Sequence, residues 1–212
     1  MKVVEIFKSI DGEGIRAGFP ATFIRLVGCN LRCSYCDTRY SYENPEYEEL
    51  TVDQIVKCVS DLHCHRITLT GGEPLIHDDV DKLITVLTDN GYEVNIETNG
   101  SVDIYPYIYN PNIILTVDYK CPSSGMESKM LLNNIKYLRF TDVLKFVVGT
   151  QEDLDKCRFI SQRTCANVYV SPVFGQIQPK DIVDYILTNE LNNCRVQLQL
   201  HKYIWDPQER GV

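Results

Sequence analysis

Residues 28–38 read "GCNLRCSYCDT" and set Cys29, Cys33 and Cys36 close together in the chain. Just ahead lies "ATFIRLVG" (21–28), an apolar run that reads as a buried strand, so the three thiols stand at a strand's carboxyl end. Outward from there the chain alternates. "RITLTGG" (66–72), "YEVNIETNG" (92–100), "NIILTVDYK" (112–120), "VLKFVVG" (143–149) and "NVYVSPV" (167–173) read as strands, and "CRVQLQLHKYI" (194–204) as a last one. Between them "TVDQIVKCVSDL" (51–62), with Thr51 or Asp53 as N-cap, and "DDVDKLITVLTDNG" (78–91), closed by Asn90-Gly91, have helical spacing. So do "ESKMLLNNIKYL" (127–138), "QEDLDKCRFISQR" (151–163) and "PKDIVDYILTNEL" (179–191).

Strand–helix alternation with crossovers of this length predicts an α/β fold with a parallel sheet wound in one sense. Six or seven such units suit a partial, open β/α barrel, one domain spanning residues 1–212. Nearly every strand runs into a polar or glycine-rich ending: "GCN", "TGGEP", "ETNG", "DYKCPS", "SPVFG". Ligands of parallel α/β proteins sit at those ends.

The 212 residues are 44% hydrophobic and 24% charged, with a net charge of −8, which argues against a broad nucleic-acid-binding face. The N-terminus lacks the pattern of a signal peptide and no apolar run reaches membrane-spanning length, so a cytoplasmic protein is expected. In that reducing compartment nine cysteines do not imply disulfides. Cys58, Cys64, Cys121, Cys157, Cys165 and Cys194 read mostly as small buried hydrophobes.

Three clustered thiols admit two metal readings. Structural zinc needs four ligands, and Cys64 or His65 would have to supply the fourth. A 4Fe–4S cluster held by three thiolates leaves one iron open to chelate a small molecule. The C-x3-C-x2-C spacing resembles the radical S-adenosylmethionine (SAM) superfamily, in which the open iron binds the amino and carboxylate groups of SAM and reductive cleavage yields a 5′-deoxyadenosyl radical. "GGEP" (71–74) ends a strand as that superfamily's methionine-binding motif does. The resemblance implies SAM contacts from Tyr35, Asp37, Gly71, Gly72, Glu73, Glu97, Asn99, Asp118, Tyr119, Lys120, Ser171, Pro172, Val173 and Phe174.

Within the superfamily, "SIDGEG" (9–14), "FIRLVGC" (23–29) and "CDT" (36–38) resemble the 7-carboxy-7-deazaguanine synthase family, and the ending "QLHKYIW…RGV" is similar too. That family contracts 6-carboxy-5,6,7,8-tetrahydropterin to 7-carboxy-7-deazaguanine with loss of ammonia, in queuosine biosynthesis. The resemblance implies a pterin site at Ile10, Asp11, Gly12, Glu13, Arg25, Thr70, His201 and the Val212 carboxylate, with Arg25 pairing the substrate carboxylate. Thr38 would bind Mg2+, and the family suggests a homodimer reduced by flavodoxin or ferredoxin. Asp11 stands where the family usually has glutamine; it accepts hydrogen bonds but, ionised, donates none. The competing readings are a glycyl-radical-enzyme activase, which has no use for Arg25 or Thr38, and a non-catalytic zinc or iron–sulfur module, which leaves GGEP unexplained.

Overall fold

The computed structural model describes residues 1–207 and 209–212. β1 (Lys2–Ile10) and β2 (Pro20–Leu26) pair antiparallel, and β3 (Glu48–Glu49) lies antiparallel on the outer side of β1. From β2 onward every pairing is parallel. α1 (Val52–Asp61) leads to β4 (Arg66–Gly71), and α2 (Val80–Asp89) to β5 (Glu93–Thr98). β6 (Ile113–Tyr119) is followed by the short α3 (Asn134–Tyr137) and β7 (Val143–Val148). α4 (Gln151–Ser161), β8 (Asn167–Pro172), α5 (Pro179–Thr188), β9 (Cys194–Val196) and α6 (His201–Ile204) complete the chain. The sheet order β3-β1-β2-β4-β5-β6-β7-β8-β9 runs between two edges without closing, so the barrel is partial and open, as expected.

The strands alternate with period two, and the alternation builds the site. Ile67 and Leu69, Val94 and Ile96, Leu115 and Val117, Leu144 and Phe146, and Val168 and Val170 all join one buried cluster with Ile55, Leu83, Leu87 and Leu154 from the helices. Most intervening positions are polar: Thr68 and Thr70, Asn95 and Glu97, Thr116 and Asp118, Lys145, Ser171. One face of the sheet is therefore the apolar core and the other a polar barrel interior.

The lower interior is filled by the loop after β1. Arg16, 6% exposed, donates to Ile67 O at 2.7 Å and Thr68 Oγ1 at 3.3 Å. Its Nε lies 3.1 Å from Asp11 Oδ2, in ion contact without hydrogen-bond alignment, while Asp11 Oδ1 accepts from Thr68 Oγ1 at 2.6 Å. Burial raises the Asp11 pKa, and Arg16 opposes that rise. Asp11→Ala strands a buried guanidinium and is expected to cost about 3–5 kcal/mol in denaturant unfolding. A loss below about 1 kcal/mol would show that the pair carries little of the loop's stability.

α1 starts as expected: Thr51 accepts from Gln54 N, and the Gln54 side chain returns to Thr51 N at 2.8 Å, a reciprocal cap. Three expectations fail. The strand expected over 194–204 is a strand only over Cys194–Val196. Past Val196 the chain leaves the sheet to reach the loop after β1, where Gln197 exchanges hydrogen bonds with Gly14 (2.7 and 3.0 Å) and Leu200 N donates to Gly12 O at 3.1 Å. His201 consequently starts a helical turn and is not in a strand. The helix expected over 127–138 is a 3-10 turn at Glu127–Lys129 and then α3. The buried Asn134 amide donates to Gly100 O and Val102 O and accepts from Ile104 N, pinning this stretch to the neighbouring loop. Finally, of the six scattered cysteines only Cys121 and Cys157 are buried. Cys58 and Cys165 are exposed, Cys64 and Cys194 partly so, because Cys58 lies on the outer side of α1 and the others in or beside loops.

Candidate active site

At the carboxyl ends of β2 and β4–β8 a cavity of about 730 Å³ opens on the polar face. Cys29, Cys33 and Cys36 line it, each half-buried and free. Their loop is drawn onto the sheet by backbone bonds from Gly28 N to Ser41 O (2.8 Å) and Glu73 N to Gly28 O (2.8 Å). Cys29 Sγ faces two donors, Leu31 N at 3.4 Å and Asn99 Nδ2 at 3.7 Å, and Cys36 Sγ lies 3.6 Å from Thr38 Oγ1. Burial raises the Cys33 thiol, with the Lys120 ammonium opposing it, so ionisation there awaits a metal.

The donor set fits an iron–sulfur cluster. Among the described residues no trio of Cys, His, Asp or Glu converges on a single ion, the arrangement zinc needs. In a cubane each thiolate binds its own iron. Cys64 and His65 precede β4 and lie at the opposite ends of the strands, so neither completes a tetrahedron with the three thiols. A Cβ at Gly72 would overlap Gly28 O and lie 2.7 Å from Cys29 Cβ, so only glycine lets the end of β4 pass against the cysteine loop.

Around the thiols the cavity brings together most of the expected residues. Tyr35, Asp37, Gly71, Gly72, Glu97, Asn99, Asp118, Lys120, Val173 and Phe174 line it from the SAM set. Ile10, Gly12, Glu13, Arg25, Thr70, His201 and Val212 line it from the pterin set, as does Thr38. Five expected contacts do not reach the wall. Tyr119 and Pro172 fall on the wrong parity: Tyr119 packs into the core, its ring tilted against Phe146 with centroids 5.2 Å apart, and its hydroxyl donates to Glu127. Ser171 has the right parity, but Glu13 covers it and accepts from its hydroxyl at 3.3 Å. Glu73 is fully buried, accepting from Asn99 N (2.6 Å), Thr98 Oγ1 (2.8 Å) and Leu75 N (3.1 Å); it shapes the "GGEP" and "ETNG" corners from behind. Asp11 is turned down into the pair with Arg16, so Ile10 and Gly12 line the cavity and Asp11 between them does not.

Charge is dense on the wall. Arg25 Nε donates to Glu5 Oε1 at 2.7 Å, and its guanidinium lies over the Tyr40 ring. Lys145 Nζ sits 3.0 Å from Asp118 Oδ1 and 3.2 Å from Glu13 Oε2, and Lys120 Nζ 3.0 Å from Asp118 Oδ2. Burial pushes Asp118 up, but the Lys120 and Lys145 ammonium groups more than offset that and hold it below the usual carboxylate range. Burial lowers the His201 pKa, with Glu13 and Asp37 only partly opposing, so the imidazole is neutral at pH 7. Its Nδ1 takes the space that a Cβ at Gly12 would fill. Phe7 and Phe23 stack at 5.0 Å, 7° from coplanar, as an apolar wall beside Ile10. The C-terminal segment closes the open side: Lys202 Nζ pairs Asp37 Oδ2 at 2.7 Å and Arg210 lies 4.0 Å over the Tyr40 ring. Lys145, Gln199, Lys202 and the Phe7–Phe23 pair were not anticipated from the sequence.

Residues 23–107 match the model of the radical SAM superfamily. The chain is 44% identical to the 7-carboxy-7-deazaguanine synthase of Clostridium acetobutylicum, over 100% of this chain and 99% of that protein. It is 43% identical to the enzyme of the same name from Methanospirillum hungatei, over 98% of this chain and 86% of that one. The crystal structure of QueE from Escherichia coli superposes with a TM-score of 0.75 at 24% identity, covering 94% of each chain, a likeness of fold. With full-length identity at this level, and the cysteine triplet and glycine corner in place around one cavity, the chain belongs to the 7-carboxy-7-deazaguanine synthase family of radical SAM lyases.

Proposed function

We propose that this chain converts 6-carboxy-5,6,7,8-tetrahydropterin to 7-carboxy-7-deazaguanine with release of ammonia. The observation that carries this reading is one cavity lined by the three thiols together with Arg25, Glu13 and neutral His201. When bound, the cluster and SAM supply one-electron hydrogen abstraction. The residues of the chain orient and enclose. Arg25, preset by Glu5, offers a fixed cation to the substrate carboxylate. Glu13 accepts from pterin N–H groups, and the Phe7–Phe23 wall and Ile10 pack on the ring. Thr38, beside Cys36, would supply a hydroxyl ligand to Mg2+. Asn99 and Leu31 N stabilise the Cys29 sulfur by donating to it. Gln199, His201 and Lys202 with Arg210, Gly211 and Val212 line the cavity from the C-terminal side and help to exclude water.

Two further points belong to the same proposal. Among the described residues no helix is long and apolar enough to cross a membrane, in keeping with a cytoplasmic enzyme. It works as a homodimer reduced by a flavodoxin or ferredoxin. An activase has no role for a cation at Arg25. Arg25→Lys keeps that charge but loses the fork, and steady-state kinetics should show KM raised about 10- to 100-fold with kcat changed much less. Tetrahydropterin without the carboxylate should bind wild type weakly and be indifferent to the substitution. Equal binding of both pterins to wild type would refute the assignment.

A further inference from the structure

Lys145 is the most heavily committed side chain on the cavity wall. Its strand, "VLKFVV", is otherwise apolar, and the residue is only 6% exposed. Asp118 is its register partner across β6 and β7, placing the two side chains opposite each other on the polar face. The Nζ contacts Asp118 at 3.0 Å and Glu13 at 3.2 Å, carboxylates from elements far apart in the chain. Glu13 also gathers Ser171 Oγ and Gln199 Nε2, both at 3.3 Å, so loop, sheet and C-terminal segment meet at it. Asp118 gathers Lys120, which lies toward Cys33. Burial alone would lower the Lys145 pKa, yet Asp118, Glu13 and Glu97 hold it well above the ordinary value, so it is a permanent cation.

One ammonium is thus shared by two acids. We infer that Lys145 is a positioning residue that couples the two halves of the cavity, so that a pterin on Glu13 and SAM on Asp118 bind cooperatively. The physical basis is ordering. A ligand that fixes Glu13 holds the Lys145 head in place between the two acids, which in turn keeps Asp118 set for the second ligand. By linkage the effect is reciprocal. Without the cation, Glu13 and Glu97 would face Asp118 with Lys120 alone left to offset their charge. The inference rests on the pterin reading above.

The test is calorimetric titration of SAM into cluster-loaded enzyme, without and with saturating 6-carboxypterin, the oxidised and unreactive form of the substrate. Wild type should bind SAM at least about five-fold more tightly when the pterin is present. Lys145→Met should reduce that factor below about two, with melting temperature and cluster absorbance confirming fold and loading. Lys145→Arg, which keeps the cation, should retain most of the coupling. If Lys145→Met fails to load, Lys145→Gln must show the same loss. Undiminished coupling in the neutral variants, or none in wild type, overturns the inference and leaves the substrate assignment standing. Failure of wild type to bind 6-carboxypterin at all overturns both.

Discussion

Replacing any one of Cys29, Cys33 or Cys36 by alanine is expected to abolish turnover and to bring iron in anaerobically reconstituted protein from about four per chain to background. The three positions are not interchangeable with other thiols nearby, because Cys64 lies at the far ends of the strands and Cys121 is fully buried with its sulfur directed at Tyr119 O. The substitutions should leave the fold intact, since the cysteine loop lies outside the apolar cluster. Thermal unfolding of the unloaded variants should therefore match unloaded wild type. Cys58→Ala is the internal control: the residue is exposed on α1, and its removal should change neither iron content nor rate. Retention of about four irons by Cys33→Ala would mean that the cluster reading is wrong.

Gly72→Ala is expected to have the second-largest effect. The added methyl group would run into Gly28 O and Cys29 Cβ, neither of which is the mobile end of a flexible side chain. Backbone must therefore move, at a cost of about 1–3 kcal/mol for the overpacking itself. The same movement shifts the cysteine loop relative to the end of β4, and a displacement near 1 Å at a reacting centre lowers rates about 100-fold. Calorimetry should show SAM affinity reduced by a comparable factor, and SAM cleavage with dithionite should fall with it. Wild-type affinity would place the methionine end of SAM elsewhere.

How much of this was legible in the sequence depended on the range of the interactions involved. The cysteine loop, the glycine corner and the parallel alternation are local patterns, and each stands where the sequence placed it. Arg25 was conspicuous as a cation in an apolar strand, and it lines the cavity. Lys145 in "VLKFVV" carries the same signal and could have been found by the same reasoning. Strand parity could likewise have separated Asp118 from Tyr119 and Ser171 from Pro172, because adjacent residues of a strand cannot share a face. The Asp11–Arg16 pair was not readable: its partners Thr68 and Ile67 O come from β4, some fifty residues away. The same holds for the C-terminal segment. "CRVQLQLHKYI" alternates well enough for a strand, but Gln197 finds Gly14 and Leu200 finds Gly12, and those long-range bonds take the chain out of the sheet. The glutamine-to-aspartate departure at Asp11 has a structural reason in this chain, since the carboxylate neutralises buried Arg16 and does not line the cavity.

The most direct measurement is an anaerobic incubation of cluster-loaded protein with dithionite, SAM, Mg2+ and 6-carboxytetrahydropterin, read by mass spectrometry. The proposed ring contraction requires 7-carboxy-7-deazaguanine to accumulate over many turnovers while SAM is largely recovered. Cleavage of SAM to 5′-deoxyadenosine with no deazaguanine product would contradict it.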